Sequence, residues 1–394
     1  MSNPTLSLPR PSFAAICLAG LIALAIAMGI GRFAFTPMLP LMIRAGSADV
    51  AAGGWLAAAN YAGYLLGALS TARLPLTPQR VGVLALALIV ASTAAMGWTG
   101  SLPAWMLLRF VAGVASAWAL VSTSVWCLGW LSRFDRPAGP GLLYAGVGTG
   151  IALAGLYCWR AGTANVAPDA LWVQLGALAL VGLVAVALLM PRGTPGSTGA
   201  GSPAPAMAGG AATAGGVSWS LVICYGLLGF GYILPATFLP VLARAVVDDP
   251  AVFGAAWPVF GAAAAISTIF ASLALPKMAR RHVLAGSHAL MALGCLLPVL
   301  HLSALTVLLA ALLVGGTFMV ATMAGMQEAR ARSPGDPTRA LGRMTAAFAI
   351  GQMAGPVLSS LLSGSAQGFG GLFIALAIGA LALAGSAWWL ARAA

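Results

Sequence analysis

The sequence contains very little charge. Only 7% of its 394 residues are Asp, Glu, Lys or Arg, whereas a soluble domain has about a quarter. Hydrophobic residues make up 61% of the chain, and its mean hydropathy is +0.98. So few charges exclude a water-soluble globular protein, because most of the surface must contact an apolar solvent. We therefore expect an all-α polytopic membrane protein that has the lipid bilayer as a partner.

Residue types that support metal or redox chemistry are also scarce. The five cysteines all fall in apolar segments and lack metal-type spacing, so they are interpreted as small buried hydrophobes. No cluster of His, Asp, Glu or Cys lies near a membrane interface, which excludes a membrane enzyme. His288 is interpreted as a structural histidine. No metal, cofactor or catalytic residue is expected.

Signals for nucleic acid and nucleotide are missing as well. The net charge is +12, but the basic residues form no cluster interleaved with aromatics and instead follow the ends of apolar segments. "GVGTG" (Gly146 to Gly150) lacks the Gly-Lys-Ser/Thr that would complete a phosphate loop. We expect no nucleic-acid or nucleotide partner, which excludes ATP-driven transport.

Apolar segments long enough to cross a bilayer follow one another along the chain. A span needs about 20 apolar residues. Eleven or thirteen spans are also compatible with hydropathy, because spans nine and ten meet almost without a loop near His301. The predicted spans are 13–42, 50–72, 81–100, 103–130, 140–160, 170–191, 217–243, 251–275, 283–303, 304–328, 338–364 and 369–391.

Basic residues favour twelve spans and indicate the orientation. With the N-terminus inside, fourteen basic residues lie in cytoplasmic segments and three lie outside, as the positive-inside rule requires. Abundant Ala and Gly with a single lysine are typical of a GC-rich bacterial gene. We expect a multi-pass protein of the bacterial inner (plasma) membrane with both termini in the cytoplasm. Arg32 and Arg109 remain, and they lie within spans.

The segment between spans six and seven divides the chain. Residues 192–216 are mostly Gly, Ala, Pro, Ser and Thr without apolar periodicity, which is typical of a flexible linker. We predict an N-terminal six-helix bundle (1–191), a cytoplasmic linker (192–216) and a C-terminal six-helix bundle (217–394).

The two predicted bundles share a sequence pattern. A shift of 200 residues aligns "GIGRFAFTPMLPLMIR" with "GFGYILPATFLPVLAR". With the matching topology, these identities favour a parallel repeat. Arg32 breaks the repeat, since Tyr232 takes its place. The identical pairs are Gly29 and Gly229, Gly31 and Gly231, Leu39 and Leu239, Pro40 and Pro240, and Arg44 and Arg244.

This pattern resembles the major facilitator superfamily over nearly the whole chain. "GIGRFAFTPMLPLM", "NYAGYLLGAL", "GFGYILPATFLP" and "GQMAGP" are similar to its YbfB/YjiJ-type branch, and "RFVAGVASA" resembles the fourth-helix motif. The resemblance implies a secondary active transporter in which spans 1, 4, 7 and 10 line a cavity with alternating access. The loop 2–3 motif lacks its acidic residue between Gly67 and Arg73, so the gating attributed to that acid is not carried over.

Two arginines within spans are the first candidates for a substrate site. A charge at mid-membrane costs about 2.5–3.5 kcal/mol on insertion scales, so it usually faces a cavity or a partner. Three roles are open for Arg32: a cavity ligand, a bond to loosened backbone carbonyls near Pro37, or snorkelling to the outer interface. Arg109 is either a substrate contact or a hydrogen bonder in helix packing.

The absence of intramembrane carboxylates determines how these two arginines are interpreted. All seven Asp and Glu residues fall in loops or at span ends. Two arginines without acidic partners predict a site for an organic anion such as a carboxylate or phosphate. The alternatives are broad-specificity efflux of amphipathic compounds and, from another class, a non-transporting sensor or scaffold. Besides the small-molecule substrate, we expect a coupling ion such as a proton, or a counter-substrate, and a monomeric protein.

Other polar and helix-breaking residues complete the prediction. Asn60, Tyr64, Tyr232 and Gln352 are candidate contacts along the translocation path, although Asn60 is better explained as interhelical packing and Gln352 as a kink-site hydrogen bonder. Small residues and prolines are expected to pack or bend the helices. These positions are Gly29, Gly31, Pro37, Pro40, Gly63, Gly67, Gly113, Gly229, Gly231, Pro240, Gly355 and Pro356.

Overall fold

The structure is a computed structural model that describes residues 12–191, 217–244, 246, 256–333, 335–363 and 370–392. Within these ranges the chain forms helices and turns and no strand, which confirms the all-α class. The predicted linker, residues 192–216, lies outside the described residues. The division into two bundles therefore stays a prediction.

Twelve long helical segments form in the described residues. Ten of them are apolar and long enough to cross a membrane, and α2 and α11 are the two less apolar ones. This count is consistent with the twelve predicted spans. The segments are α1 (Phe13–Arg44), α2 (Val50–Ser70), α3 (Pro78–Ala95), α4 (Leu102–Leu131), α5 (Ala138–Thr163), α6 (Pro168–Leu189), α7 (Trp219–Arg244), α8 (Ala256–Ala274), α9 (Arg280–Leu300), α10 (Ala304–Ala331), α11 (Thr338–Ser363) and α12 (Gly370–Arg392).

Side-chain caps set several helix boundaries. The Asp49 carboxylate accepts a hydrogen bond from the Ala52 N–H at 2.7 Å and begins α2. Between α9 and α10, Ser303 and Thr306 form a capping box. This box explains how two spans meet with almost no loop between them, which hydropathy alone left open.

Two helix pairs make the most extensive contacts between α1–α6 and α7–α12. The α2 helix packs against α11, and α5 packs against α8. The helices α5 and α8 cross so closely that a Cβ at Gly148 would overlap with the backbone of Gly261 and Ala265. The glycines of "GVGTG" therefore serve helix packing, as small residues do in membranes.

Equivalent glycines in α1 and α7 pack in equivalent ways. A Cβ at Gly29 would overlap with the backbone of Gly150 on α5, the fifth helix of the first six. A Cβ at Gly229 would overlap with the Phe348 carbonyl on α11, the fifth helix of the last six. The 200-residue sequence repeat thus corresponds to a repeated helix contact.

Large apolar side chains cover the outside of the bundle. Leu188, Leu361 and Leu381 are each more than 70% exposed, which suits contact with lipid rather than water. The five cysteines are all buried and unpaired, as their positions in apolar segments predicted.

Candidate functional site

A π-helical segment of α1 carries Arg32. Residues Ala25–Phe33 form a π-helix, Ala34 is a turn, and a regular helix resumes over Phe35–Arg44. Pro37 and Pro40 lie in this second, regular helix. The irregular segment is therefore on the N-terminal side of both prolines. Insertions of this kind often occur at functional sites, because they leave carbonyls free and re-aim side chains.

The α4 helix satisfies the carbonyls of this π-helix. The Ser116 hydroxyl donates to the Ala27 carbonyl at 2.8 Å. The Arg109 guanidinium donates to the carbonyls of Gly31 and Arg32, each at 3.1 Å, and its Cζ lies 4.8 Å from the centre of the Phe35 ring. Arg109 thus makes the bond to loosened carbonyls that was one of the roles considered for Arg32.

Asn60 and three glycines hold α2 against α4. The Asn60 amide donates to the Arg109 carbonyl at 2.9 Å. Cβ atoms at Gly63 and Gly113 would overlap with the carbonyls of Phe110 and Asn60, and one at Gly67 with the carbonyl of Val114. Asn60 therefore lies between helices, and its position fixes the backbone that carries Arg109.

Arg32 contacts a polar partner from the other end of the chain. Its side chain donates a hydrogen bond to the Gln352 Oε1 on α11. Its Cζ lies 4.0 Å from the centre of the Tyr64 ring and 5.3 Å from that of Tyr61, distances typical of cation–π contact. The residue is only 3% exposed, so it does not snorkel to an interface.

Several hydrogen-bond donors around Arg32 have no acceptor. Among the described residues, the Nε and Nη1 atoms of Arg32, the Nε2 of Gln352 and the Tyr232 hydroxyl are buried without a hydrogen-bond partner. The salt bridges of the described residues involve Glu328 with Arg280 and Arg332, and none involves Arg32. A buried cation with open N–H groups and no carboxylate is unfavourable unless another acceptor fills its place.

Tyr232 belongs to a ladder of aromatic rings. Its ring centre lies 4.8 Å from that of Phe318 and 6.0 Å from that of Phe348. The ladder continues from Phe318 to Phe260 at 5.4 Å and from Phe260 to Trp257 at 5.3 Å. These rings come from α7, α8, α10 and α11, so the ladder joins four helices.

A small cavity with a volume of about 20 Å³ lies beside Arg32. Arg32 itself does not line it, but its stacking partner Tyr64 and its neighbour Phe33 do. The walls come from α1, α2, α4, α5, α7, α10 and α11. They are formed by Met28, Phe33, Tyr64, Leu120, Val147, Tyr225, Tyr232, Phe318, Met319, Thr322, Met326, Thr345 and Phe348.

The structure thus brings four of the six candidate contacts together. Arg32, Tyr64, Tyr232 and Gln352 lie at or beside the cavity, whereas Asn60 and Arg109 face helix crossings. The remaining packing positions take part in close contacts or lie within helices. A Cβ at Gly31 would contact Ile89 and Ser116. A Cβ at Gly231 would contact Leu383, and a Cβ at Gly355 would contact Ile233. Pro240 lies within α7 and Pro356 within α11.

His288 lies away from this site. It is fully buried on α9. It does not line the cavity, and its structural role stays a prediction.

The family resemblance placed span 10 along the cavity, but sequence reasoning named none of the α10 residues that line it. Phe318, Thr322 and Met326 follow one another at four-residue spacing on one face of α10, and Met319 lies three residues before Thr322. In a membrane helix such residues look like ordinary lipid-facing or packing residues, so no signal marked them. The missed pairing of Gln352 with Arg32 joins residues 320 positions apart, which one sequence without an alignment cannot reveal.

Comparisons with known proteins agree with this architecture. Residues 24–389 match the family described as "Uncharacterised MFS-type transporter YbfB". Among solved structures, the human organic anion transporter MFSD10 (TETRAN) matches with a TM-score of 0.69 over 98% of this chain and 100% of that chain. At 13% sequence identity this likeness shows the fold alone.

No curated protein matches the chain. The family match covers most of the sequence, and it confirms the resemblance inferred from the α1, α2, α7 and α11 motifs. Proteins of this family and fold are membrane transporters and not enzymes. The chain therefore belongs to the YbfB family of major facilitator superfamily transporters.

Proposed function

We propose that the protein is a secondary transporter that binds a small organic anion at Arg32 and moves it across the bacterial inner membrane by alternating access. One observation carries the substrate class. The Arg32 guanidinium is buried, bears two nitrogens without an acceptor, and has no carboxylate partner among the described residues. An anionic group is the partner that completes this arrangement.

The other open groups beside Arg32 favour the same substrate. Gln352 offers Nε2 N–H donors, and the Tyr232 hydroxyl offers one more. Each of the three side chains therefore has hydrogen-bond donors without an acceptor. A carboxylate or phosphate oxygen accepts such bonds, whereas an ammonium group cannot.

Arg109 has a supporting role in this proposal. Its two terminal nitrogens already donate to the carbonyls of Gly31 and Arg32. The expectation that two arginines hold the anion is therefore replaced by one binding arginine and one that fixes its backbone. The solved organic anion transporter with the same fold supports the compatibility of this architecture with an anionic cargo.

Alternating access requires contacts between the first six and the last six helices to change. Arg32 bonds Gln352 across this interface, and the Arg330 guanidinium on α10 donates to the Val125 carbonyl on α4 at 3.1 Å. Both bonds lie between helices that a rocking motion would separate. We expect the Arg330 contact, near the predicted cytoplasmic ends of its helices, to break when the cavity opens to the inside.

The arrangement of acidic residues bears on energy coupling. The described carboxylates lie in loops or near helix ends, as at Asp49, Asp169 and Glu328. Proton coupling through a carboxylate at the site is therefore disfavoured. Uniport or exchange for a second anion fits the site better.

Broad-specificity efflux of amphipathic compounds is the second candidate. The cavity walls favour it, since they are mostly aromatic and methionine side chains that adapt to many apolar shapes. The charge of the preferred cargo separates the two candidates, because an efflux pump for lipophilic cations needs no free guanidinium.

A thermal-stability screen of the purified full chain tests the proposal. Anionic, neutral and cationic metabolites are added one at a time, since a ligand of the native state raises its stability by mass action. We expect stabilisation by anions only, and its loss in Arg32→Gln. Stabilisation by cationic dyes, or anion effects that Arg32→Gln leaves unchanged, would overturn the anion assignment.

A further inference from the structure

The site beside Arg32 also restricts the number of charges and the shape of the cargo. We propose that the cargo carries a single negative charge on a flat, conjugated body, and an aromatic monocarboxylate is the simplest such molecule. This inference rests on the proposed anion site. Two features of the described residues support this: the number of free cations and the chemistry of the cavity walls.

Among the described residues of the site, Arg32 is the cation that keeps a terminal guanidinium nitrogen without an acceptor. Both terminal nitrogens of Arg109 bond backbone carbonyls, which leaves only its Nε without a partner. None of the thirteen residues that line the cavity is charged. A second negative charge on the cargo would lie among apolar walls without a partner, which costs far more than its attraction to Arg32 returns.

Aromatic rings dominate the walls. Six lining residues are aromatic: Phe33, Tyr64, Tyr225, Tyr232, Phe318 and Phe348. Aromatic side chains favour another aromatic ring in offset-stacked or edge-to-face arrangements beyond simple burial of area. Such walls therefore discriminate a flat conjugated body from a puckered aliphatic body of similar size.

Polar groups in the walls are largely occupied. The Thr322 and Thr345 hydroxyls donate to the carbonyls of Phe318 and Leu341 at 2.9 and 2.8 Å. The Tyr225 hydroxyl bonds the Thr322 side chain. A cargo rich in hydroxyls or amides would lose its hydration without enough partners, so the walls disfavour sugars and peptides.

The rings near Tyr232 also share an orientation. Tyr232 is inclined by 20° to Phe318 and by 26° to Phe348, and Phe318 by 21° to Phe260. These near-parallel rings from four helices give the aromatic wall one direction of stacking toward the space beside it. A planar body fits this space in fewer orientations but with more contact than a puckered ring.

Titration calorimetry with the purified full chain in lipid nanodiscs tests the inference. Four matched probes are used: benzoate, cyclohexanecarboxylate, terephthalate and benzamide. We expect benzoate to bind about two- to tenfold more tightly than cyclohexanecarboxylate, the range that aromatic pairs provide. Terephthalate, with its second charge, and benzamide, with none, should bind at least tenfold more weakly than benzoate.

Two variants show which part of the inference holds. Phe318→Leu should remove most of the preference for benzoate over cyclohexanecarboxylate, and Phe348→Leu is the second variant if the first does not fold. Arg32→Gln should remove binding of both monocarboxylates. Equal binding of benzoate and cyclohexanecarboxylate, or tighter binding of terephthalate, would overturn the cargo class while an Arg32-dependent anion site stands. Monocarboxylate binding that survives in Arg32→Gln would overturn the proposed function itself.

Discussion

The side chain of Arg32 on α1 donates a hydrogen bond to the side-chain carbonyl of Gln352 on α11. The two residues belong to the first six and the last six helices, and both are buried beside the same cavity. Gln352 is neutral, so it orients the guanidinium without cancelling its charge. The pair therefore leaves a net positive charge where a cargo can neutralise it.

Gln352→Glu should convert this polar pair into an ion pair. The new carboxylate would form an ion pair with the Arg32 guanidinium and so compete with the cargo. We expect the affinity for benzoate to fall at least tenfold, while the thermal midpoint stays the same or rises. Titration calorimetry and thermal unfolding of the same preparation measure the two effects. Gln174→Glu is the matched control, because Gln174 is an exposed residue of α6 that bonds Tyr157. Wild-type affinity in Gln352→Glu would contradict the assignment.

Arg109→Gln should lower stability, since Arg109 bonds the backbone of α1. The change leaves the buried carbonyls of Gly31 and Arg32 without their donors, at a cost of about 1–3 kcal/mol. Arg109→Lys keeps the charge but loses the planar fork that reaches two carbonyls, so we expect it to be intermediate. Thermal unfolding ranks the three proteins. A fully stable Arg109→Gln protein that has lost only anion binding would instead make Arg109 a direct ligand.

Tyr232→Phe should separate binding from stability. The Tyr232 hydroxyl is buried without a partner, so its removal should leave the thermal midpoint unchanged or slightly higher. The ring remains in its stack with Phe318. Anion affinity should fall by roughly tenfold if the hydroxyl donates to the cargo, given about 1.5 kcal/mol for a hydrogen bond to a charged group. Tyr157→Phe, which removes an exposed hydroxyl that bonds Gln174, serves as the control. Affinity equal to wild type would exclude Tyr232 from the binding site.

Gly63→Ala should destabilise the bundle through the α2–α4 crossing. A Cβ there would overlap with the Phe110 carbonyl, so the backbones must separate, at a cost of about 1–3 kcal/mol. Gly316→Ala on α10 is the matched control, since nothing lies within 4 Å of a Cβ at that position. Alanine in an open helical position is neutral or stabilising. Equal thermal midpoints for the two variants would show that the crossing tolerates a wider separation.

Much of the fold follows from hydropathy and basic residues. The α-helical class and the span limits are properties of local sequence, because lipid imposes both the length and the apolarity of each helix. The boundary near Ser303 also has a local cause in its capping box. Such features could be predicted without a structure.

The partners of the two buried arginines could not be predicted in the same way. Both Arg32 and Arg109 are intramembrane cations in sequence, but only the packing of α1 against α4 gives Arg109 two carbonyls to bond. Those carbonyls belong to the π-helix Ala25–Phe33, and no hydropathy pattern marks the change from α to π. The roles of the arginines are thus set by tertiary contacts.

The central claim is that the transported anion binds at Arg32. Counterflow in proteoliposomes tests it most directly: vesicles loaded with unlabelled benzoate take up labelled benzoate from outside. We expect saturable uptake by the wild-type protein and none above protein-free vesicles for Arg32→Gln that is folded and inserted in equal amount. Equal uptake by the wild-type and Arg32→Gln proteins would contradict the account.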